Sequence, residues 1–148
     1  DLAETEHSDS GVGGGIYSDQ ANRNIYEHLT GMAGEILRSG HTVILDATFL
    51  THQQRSRALE VAQECGCAAV FVHVVAPTEI LRQRIRQRNA DDADASEATL
   101  AVLEHLIGMQ ESLTDAEKRL TSEVDNSIEL DIARIVGENK ERADAVAL

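Results

Sequence analysis

Two short apolar runs, VILDATFL at residues 43–50 and AAVFVHVVA at 68–76, each lead straight into a stretch with helical periodicity. A strand that is apolar on both faces must be covered on both. Strand, helix, strand, helix in that style therefore argues for an α/β fold, a parallel sheet with flanking helices. In such sheets ligands lie beyond the carboxyl ends of the strands. Asp46, Ala47 and Thr48 occupy that end of the first run, and Ala76 and Pro77 that of the second.

The remaining elements follow from period and caps. Residues 1–15 are polar and glycine-rich and read as a flexible lead-in, leaving 16–148 as one domain. The GVGGG string at 11–15 is no phosphate loop, because no strand precedes it and no lysine occurs before Lys118. A helix opens at Ser18 or Asp19 and runs to about Ser39. Its apolar face holds Ile25, Leu29, Met32, Ala33, Ile36 and Leu37, and Gly40 ends it in a left-handed turn.

A strand is predicted over Thr42–Ala47. The pair Thr51 and Gln54 forms a capping box for a helix that runs to Cys65 and stops at Gly66. The second strand is Ala69–Val75, and Pro77 sits in the first turn of a helix reaching about Arg88. After the acidic loop NADDADA, Asp94 with Glu97 or Ser96 with Thr99 caps an amphipathic helix striped with Leu100, Leu103, Leu106 and Ile107. Thr114 and Glu117 make another capping box. A weak strand near Leu120–Val124 and a helix from about Glu129 finish the order.

Composition excludes several classes. A net charge of −13 argues against a general nucleic-acid or anionic-membrane surface, since both partners are polyanions. No run nears the roughly 20 apolar residues that span a bilayer. No signal-peptide pattern occurs, so a cytoplasmic location is the expectation. Cys65 and Cys67 are spaced C-x-C and read as packed, reduced thiols. His28, His41, His52, His73 and His105 show no metal-ligand spacing and receive no role.

Four of the 13 basic residues are crowded between Arg82 and Arg88. Helical geometry sets Arg84 and Arg88 one turn apart on the side that carries Leu81 and Ile85, with Arg82 and Arg86 turned toward solvent. A guanidinium on an inward face needs an anion. Bidentate phosphate contacts and structural salt bridges both satisfy that need, and periodicity alone leaves both open. Asp46 divides in the same way. A carboxylate at a strand end holds magnesium through water or orients a hydroxyl nucleophile, and it equally caps a turn. The D-x-D-x-T pattern of an aspartyl-nucleophile phosphatase is absent. Arg55, one turn into its helix, is the better placed of Arg55 and Arg57 to face the cleft.

The order GIYS, VILDATFL with a following arginine, APTEILRQRIRQR and DASEAT resembles the P-loop kinase-like ATP-binding domains of the AAA-type group related to zeta toxin and polynucleotide kinase. DASEA at 94–98 is similar to proteins in which this domain follows an aminoglycoside-phosphotransferase-like one. The resemblance covers about residues 15–125. It implies ATP and Mg2+ as cofactors and phosphoryl transfer to a small-molecule or other acceptor. Under it Asp46 matches the acidic residue beside the phosphate loop, Thr48 its neighbour at the cleft, Arg84 and Arg88 the lid arginines, and Arg55 a cleft arginine.

One departure is large: no G-x-x-x-x-G-K-[ST] string occurs. The family's first strand, phosphate loop, following helix and second strand would all precede Asp1, so the chain reads as the C-terminal part of that domain. Turnover by it alone is not expected, because phosphoryl transfer rests on positioning and charge stabilisation. The alternative is a non-catalytic nucleotide-binding or protein-interaction domain. An unpaired sheet edge is expected to favour self-association.

Overall fold

The computed structural model describes residues 19–90 and 99–146. The glycine string at 11–15 and the DASEA motif lie outside them. In chain order the elements are α1 (Asp19–Arg38), α2 (His52–Glu64), β1 (Phe71–Val75), α3 (Thr78–Ala90), α4 (Leu100–Met109), α5 (Asp115–Leu120), β2 (Thr121–Asp125) and α6 (Ile132–Val146).

Strands β1 and β2 pair in parallel, Phe71 opposite Thr121 through Val75 opposite Asp125. The Asn126 N–H donates to Val75 O at 2.8 Å, one step beyond the ladder. The chain is therefore an α/β protein with a small parallel sheet flanked by helices. On one face of the sheet Ser122 is buried and donates to Asn139 Oδ1 of α6 at 2.7 Å, while Val72 and Val74 on that face remain exposed. The expectation that the second apolar run is covered on both sides therefore fails at these two valines.

Helix termini obey local chemistry. Thr51 caps α2 and Thr114 caps α5, each in a complete capping box with Gln54 and Glu117. Gly40 and Gly66 adopt φ of 85° and 65° just beyond α1 and α2. At each, the next residue's N–H reaches back across the last turn, His41 to Ile36 O and Cys67 to Ala62 O. Helix α4 is capped by Thr99, whose hydroxyl accepts from the Val102 N–H; Asp94 and Ser96 lie outside the described residues. Cys65 and Cys67 form no disulfide and are partly buried; the Cys67 thiol donates to Cys65 O at 3.4 Å.

Three further sequence expectations need correction. Residues 42–47 carry no ladder, and Ile44 is 89% exposed. The run has strand composition, but no described strand lies alongside to pair with it, and a strand forms only against a neighbour. The buried line of α1 is Tyr26, Thr30 and Ala33, with Ile25, Met32 and Ile36 exposed. Packing on α2 sets that rotation: a Cβ on Gly34 would stand 3.3 Å from Val61 Cγ1, so the helices approach along the glycine side. Thr30 is tolerated inside because its hydroxyl donates to Tyr26 O at 2.8 Å.

The third correction concerns α3. Arg82, expected in solvent, forms ion pairs with Glu79 and, at 2.6 Å, with Glu104 of α4. Of the two, Arg84 is the exposed one.

Candidate functional site

The segment from Asp46 to Thr51 is irregular in backbone yet held from three sides. Asp46, Ala47 and Thr48 are exposed, and the Asp46 carboxylate makes no hydrogen bond or ion pair among the described residues. Phe49 follows in the left-handed region at φ 45°, a conformation that costs a bulky residue about 1–3 kcal/mol. Its surroundings hold it there. The Phe49 N–H donates to Tyr26 Oη at 2.9 Å, and Phe49 O accepts from Arg55 Nη1 at 3.0 Å. The Phe49 ring meets Tyr26 edge-on with centroids 5.1 Å apart and lies 6.5 Å from Phe71 of β1. Tyr26 Oη also lies 3.1 Å from Thr48 Oγ1.

Arg55 anchors the other side. It is 4% exposed, and its five N–H donors all have acceptors inside the protein. Nε donates to Glu117 Oε1 at 2.7 Å, Nη1 to Phe49 O and Leu50 O at 3.0 Å each, and Nη2 to Ser112 O and Glu117 Oε2. No donor is left for a phosphate. The cleft role suggested for Arg55 is thus replaced by a structural one: it pins the Phe49–Leu50 turn to α5.

Glu117, 2% exposed, completes the pair. Burial by itself would push its carboxyl up. Hydrogen bonds from Arg55, the Thr114 N–H and His52 outweigh that and bring it down from 4.5 to about 2. His52 Nδ1 stands 3.1 Å from Glu117 Oε1, and its other ring nitrogen 3.2 Å from Ser56 Oγ. The residue given no role from spacing therefore belongs to the cluster. Glu111 closes it, its N–H donating to Leu50 O at 2.9 Å and its carboxylate accepting from the His52 N–H at 2.5 Å.

The arginines of α3 lie elsewhere on the same helix. Arg84 Nη2 donates to Asn126 O at 2.5 Å, the residue just past the carboxyl end of β2. That end is the ligand side of a parallel sheet. Arg88 is half-buried one turn on. The structure joins Thr48 to Tyr26, Arg55 to Glu117 and Arg84 to the β2 terminus. It forms no bond between Asp46 and Arg84 or Arg88.

Sequence reasoning missed Tyr26 and Glu117 as members of this assembly. Glu117 was visible as the third residue of a capping box, and nothing in that pattern shows its second bond, 62 positions away. Tyr26 sits one residue from Ile25, on the face that a pure apolar count discards.

No helix among the described residues is long and apolar enough to cross a membrane. No solved structure matches the chain. An uncharacterized protein of Mycobacterium tuberculosis (strain ATCC 25618 / H37Rv) is 32% identical over 89 residues, and one of Mycobacterium bovis (strain ATCC BAA-935 / AF2122/97) is equally similar. The matched stretch is 60% of this chain and only 18% of either relative, so the chain spans a small part of their length. The family model described as AAA domain matches residues 2–113, well over half of the chain. With a parallel sheet flanked by helices, and an acidic loop residue following an apolar run, the chain belongs to the AAA domain family as a P-loop kinase-like domain.

Proposed function

We propose that the chain is the acceptor-side and lid portion of an ATP-binding phosphotransferase domain, which in its complete form passes the ATP γ-phosphate to a small molecule or other acceptor. The observation that carries this reading is the exposed Asp46 carboxylate, without a partner among the described residues, on the segment that leads into the anchored turn at Thr48–Leu50. A carboxylate left unpaired beside rigid backbone is suited to act on a ligand. Asp46 orients the acceptor hydroxyl, and Thr48 contacts a phosphoryl oxygen. Arg84 and Arg88 bring positive charge to phosphates at the strand ends.

The same carboxylate fits magnesium held through water, and the ion, when bound, neutralises charge on the β- and γ-phosphate oxygens. Arg55 supports the loop and contacts no ligand in this scheme.

Isothermal titration of Mg–ATP tests the assignment. Wild-type protein is expected to bind, and Arg84→Ala to weaken binding at least tenfold, as the loss of a charge-assisted contact predicts. Absence of heat at millimolar nucleotide would refute it.

A second reading, nucleotide binding without turnover, draws on the lack of any G-x-x-x-x-G-K-[ST] string. It predicts the same titration with no release of ADP. Cytoplasmic operation accords with both readings. Self-association is a further expectation, because β1 pairs only with β2 among the described residues and leaves Val72 and Val74 exposed beside its other edge. Size-exclusion chromatography should show the apparent mass rising with concentration; a concentration-independent monomer would contradict this.

A further inference from the structure

We infer that Tyr26 is a positioning residue that turns Thr48 into a hydrogen-bond donor directed at a phosphoryl oxygen; this rests on the phosphotransferase reading above. A phenol has one hydrogen and two lone pairs. The Phe49 N–H has no choice but to donate, so it occupies a lone pair of Tyr26 Oη at 2.9 Å. The remaining contact is Thr48 Oγ1 at 3.1 Å, where either oxygen is chemically able to give the hydrogen. If Thr48 gave it, the phenol hydrogen would have no acceptor among the described residues, on a side chain only 7% exposed. Buried donors are rarely left so. The phenol therefore donates and Thr48 accepts.

Thr48 is exposed and has no other hydrogen-bond partner among the described residues. With its lone pair engaged by Tyr26, its own hydrogen is turned outward on the loop that carries Asp46. A group fixed as donor prefers oxygen acceptors that bear negative charge, and a phosphoryl oxygen is the one that fits a site in this family. Rotation of the hydroxyl is restrained because Tyr26 is held in turn by the Phe49 amide and by edge-on packing against the Phe49 ring. Tyr26, on α1, thus sets the polarity of a residue 22 positions away without touching ligand itself.

Titration of Mg–ATP and of inorganic tripolyphosphate into four variants separates positioning from mere stability. Thr48→Val is expected to weaken both ligands about tenfold, and Thr48→Ser to stay within about twofold. Tyr26→Phe keeps the ring and is expected to weaken both by about three- to tenfold. The double variant Tyr26→Phe/Thr48→Val should be no weaker than Thr48→Val alone, because Tyr26 acts through that hydroxyl. Losses that add in the double variant, or a Thr48→Val protein that binds like wild type, overturn the inference. In that event binding that Arg84→Ala still weakens leaves the phosphotransferase reading standing, whereas a wild type that binds neither ligand overturns both. Thr48 is exposed, so a Thr48→Val protein that binds like wild type overturns the inference even if Tyr26→Phe fails to fold.

Discussion

Replacing Glu117 by glutamine is expected to destabilise the fold by roughly 3 kcal/mol, and replacing Arg55 by alanine by about 4–5 kcal/mol. Both side chains are almost wholly buried, at 2% and 4% exposure, so water cannot stand in for a lost partner. Glutamine preserves shape and one acceptor oxygen but leaves the guanidinium facing a neutral amide. Three backbone carbonyls, of Phe49, Leu50 and Ser112, still accept from it, which holds the loss to the lower figure. Alanine at 55 does more damage. It strands the Glu117 carboxylate, removes an acceptor's partner at each of those carbonyls and opens a cavity beside the Phe49 turn.

For a chain of this size such losses lower the melting temperature by about 10 °C or more. Urea unfolding followed by circular dichroism measures them. The double replacement Arg55→Met with Glu117→Leu should be less destabilised than the sum of its single changes, since no buried charge is left alone. A Glu117→Gln protein within 1 kcal/mol of wild type would show that the pair does not carry the junction between α2 and α5.

The consequence for function follows from which groups the pair holds. Arg55 fixes Phe49 and Leu50, and Phe49 in the left-handed conformation directs the turn after Thr48. Under the proposed function, loss of Arg55 should therefore weaken ligand binding at Asp46 and Thr48, since all of its donors are spent inside the protein. That is a different route from Arg84, whose removal leaves the loop intact.

How far this was legible in the chain depends on the range of the interaction. Thr51 with Gln54 and Thr114 with Glu117 were readable because a capping box is complete within four residues. Gly40 and Gly66 were readable because a left-handed residue after a helix favours glycine for a steric reason that needs no neighbour. Both strands of the parallel pair were also recognisable, although β1 is shorter than the apolar run that contains it.

What failed was set by tertiary partners. The run at 42–47 has strand composition and no adjacent strand among the described residues. Arg82 and Arg84 differ in fate because Glu104 on α4 stands opposite one and Asn126 beyond β2 opposite the other. On α1, side-chain polarity points to Ile25, Met32 and Ile36, whereas close approach at Gly34 and the two bonds made by the Tyr26 hydroxyl select the next face round. Asp46 and Thr48 could be singled out as candidates because an apolar run ending in a carboxylate and a hydroxyl is itself local. The contact of Thr48 with Tyr26 could not, because it joins residues 22 positions apart.

Acid should unfold the protein through the same pair, with Glu117 as the titrating group. Burial would raise its carboxyl, and the bonds from Arg55, the Thr114 N–H and His52 override that, lowering it from 4.5 to about 2. A carboxylate whose folded value is depressed binds protons more readily in the unfolded chain. Its contribution is therefore fully present above 4.5 and is lost as pH falls toward 2. A shift of that size corresponds to on the order of 3 kcal/mol.

Between neutrality and pH 5 the opposite tendency operates. The net charge of −13 is progressively relieved there, which reduces self-repulsion. Stability is thus expected to stay level or rise slightly down to about pH 5, then fall steeply below 4.5. Glu117→Gln supplies the control, because an amide at that position mimics the protonated acid and cannot titrate. The gap between wild type and variant, measured by urea midpoints across the pH range, should be widest above pH 5 and close near pH 2. A gap that stays constant to pH 2 would mean that Glu117 is not held as a buried anion.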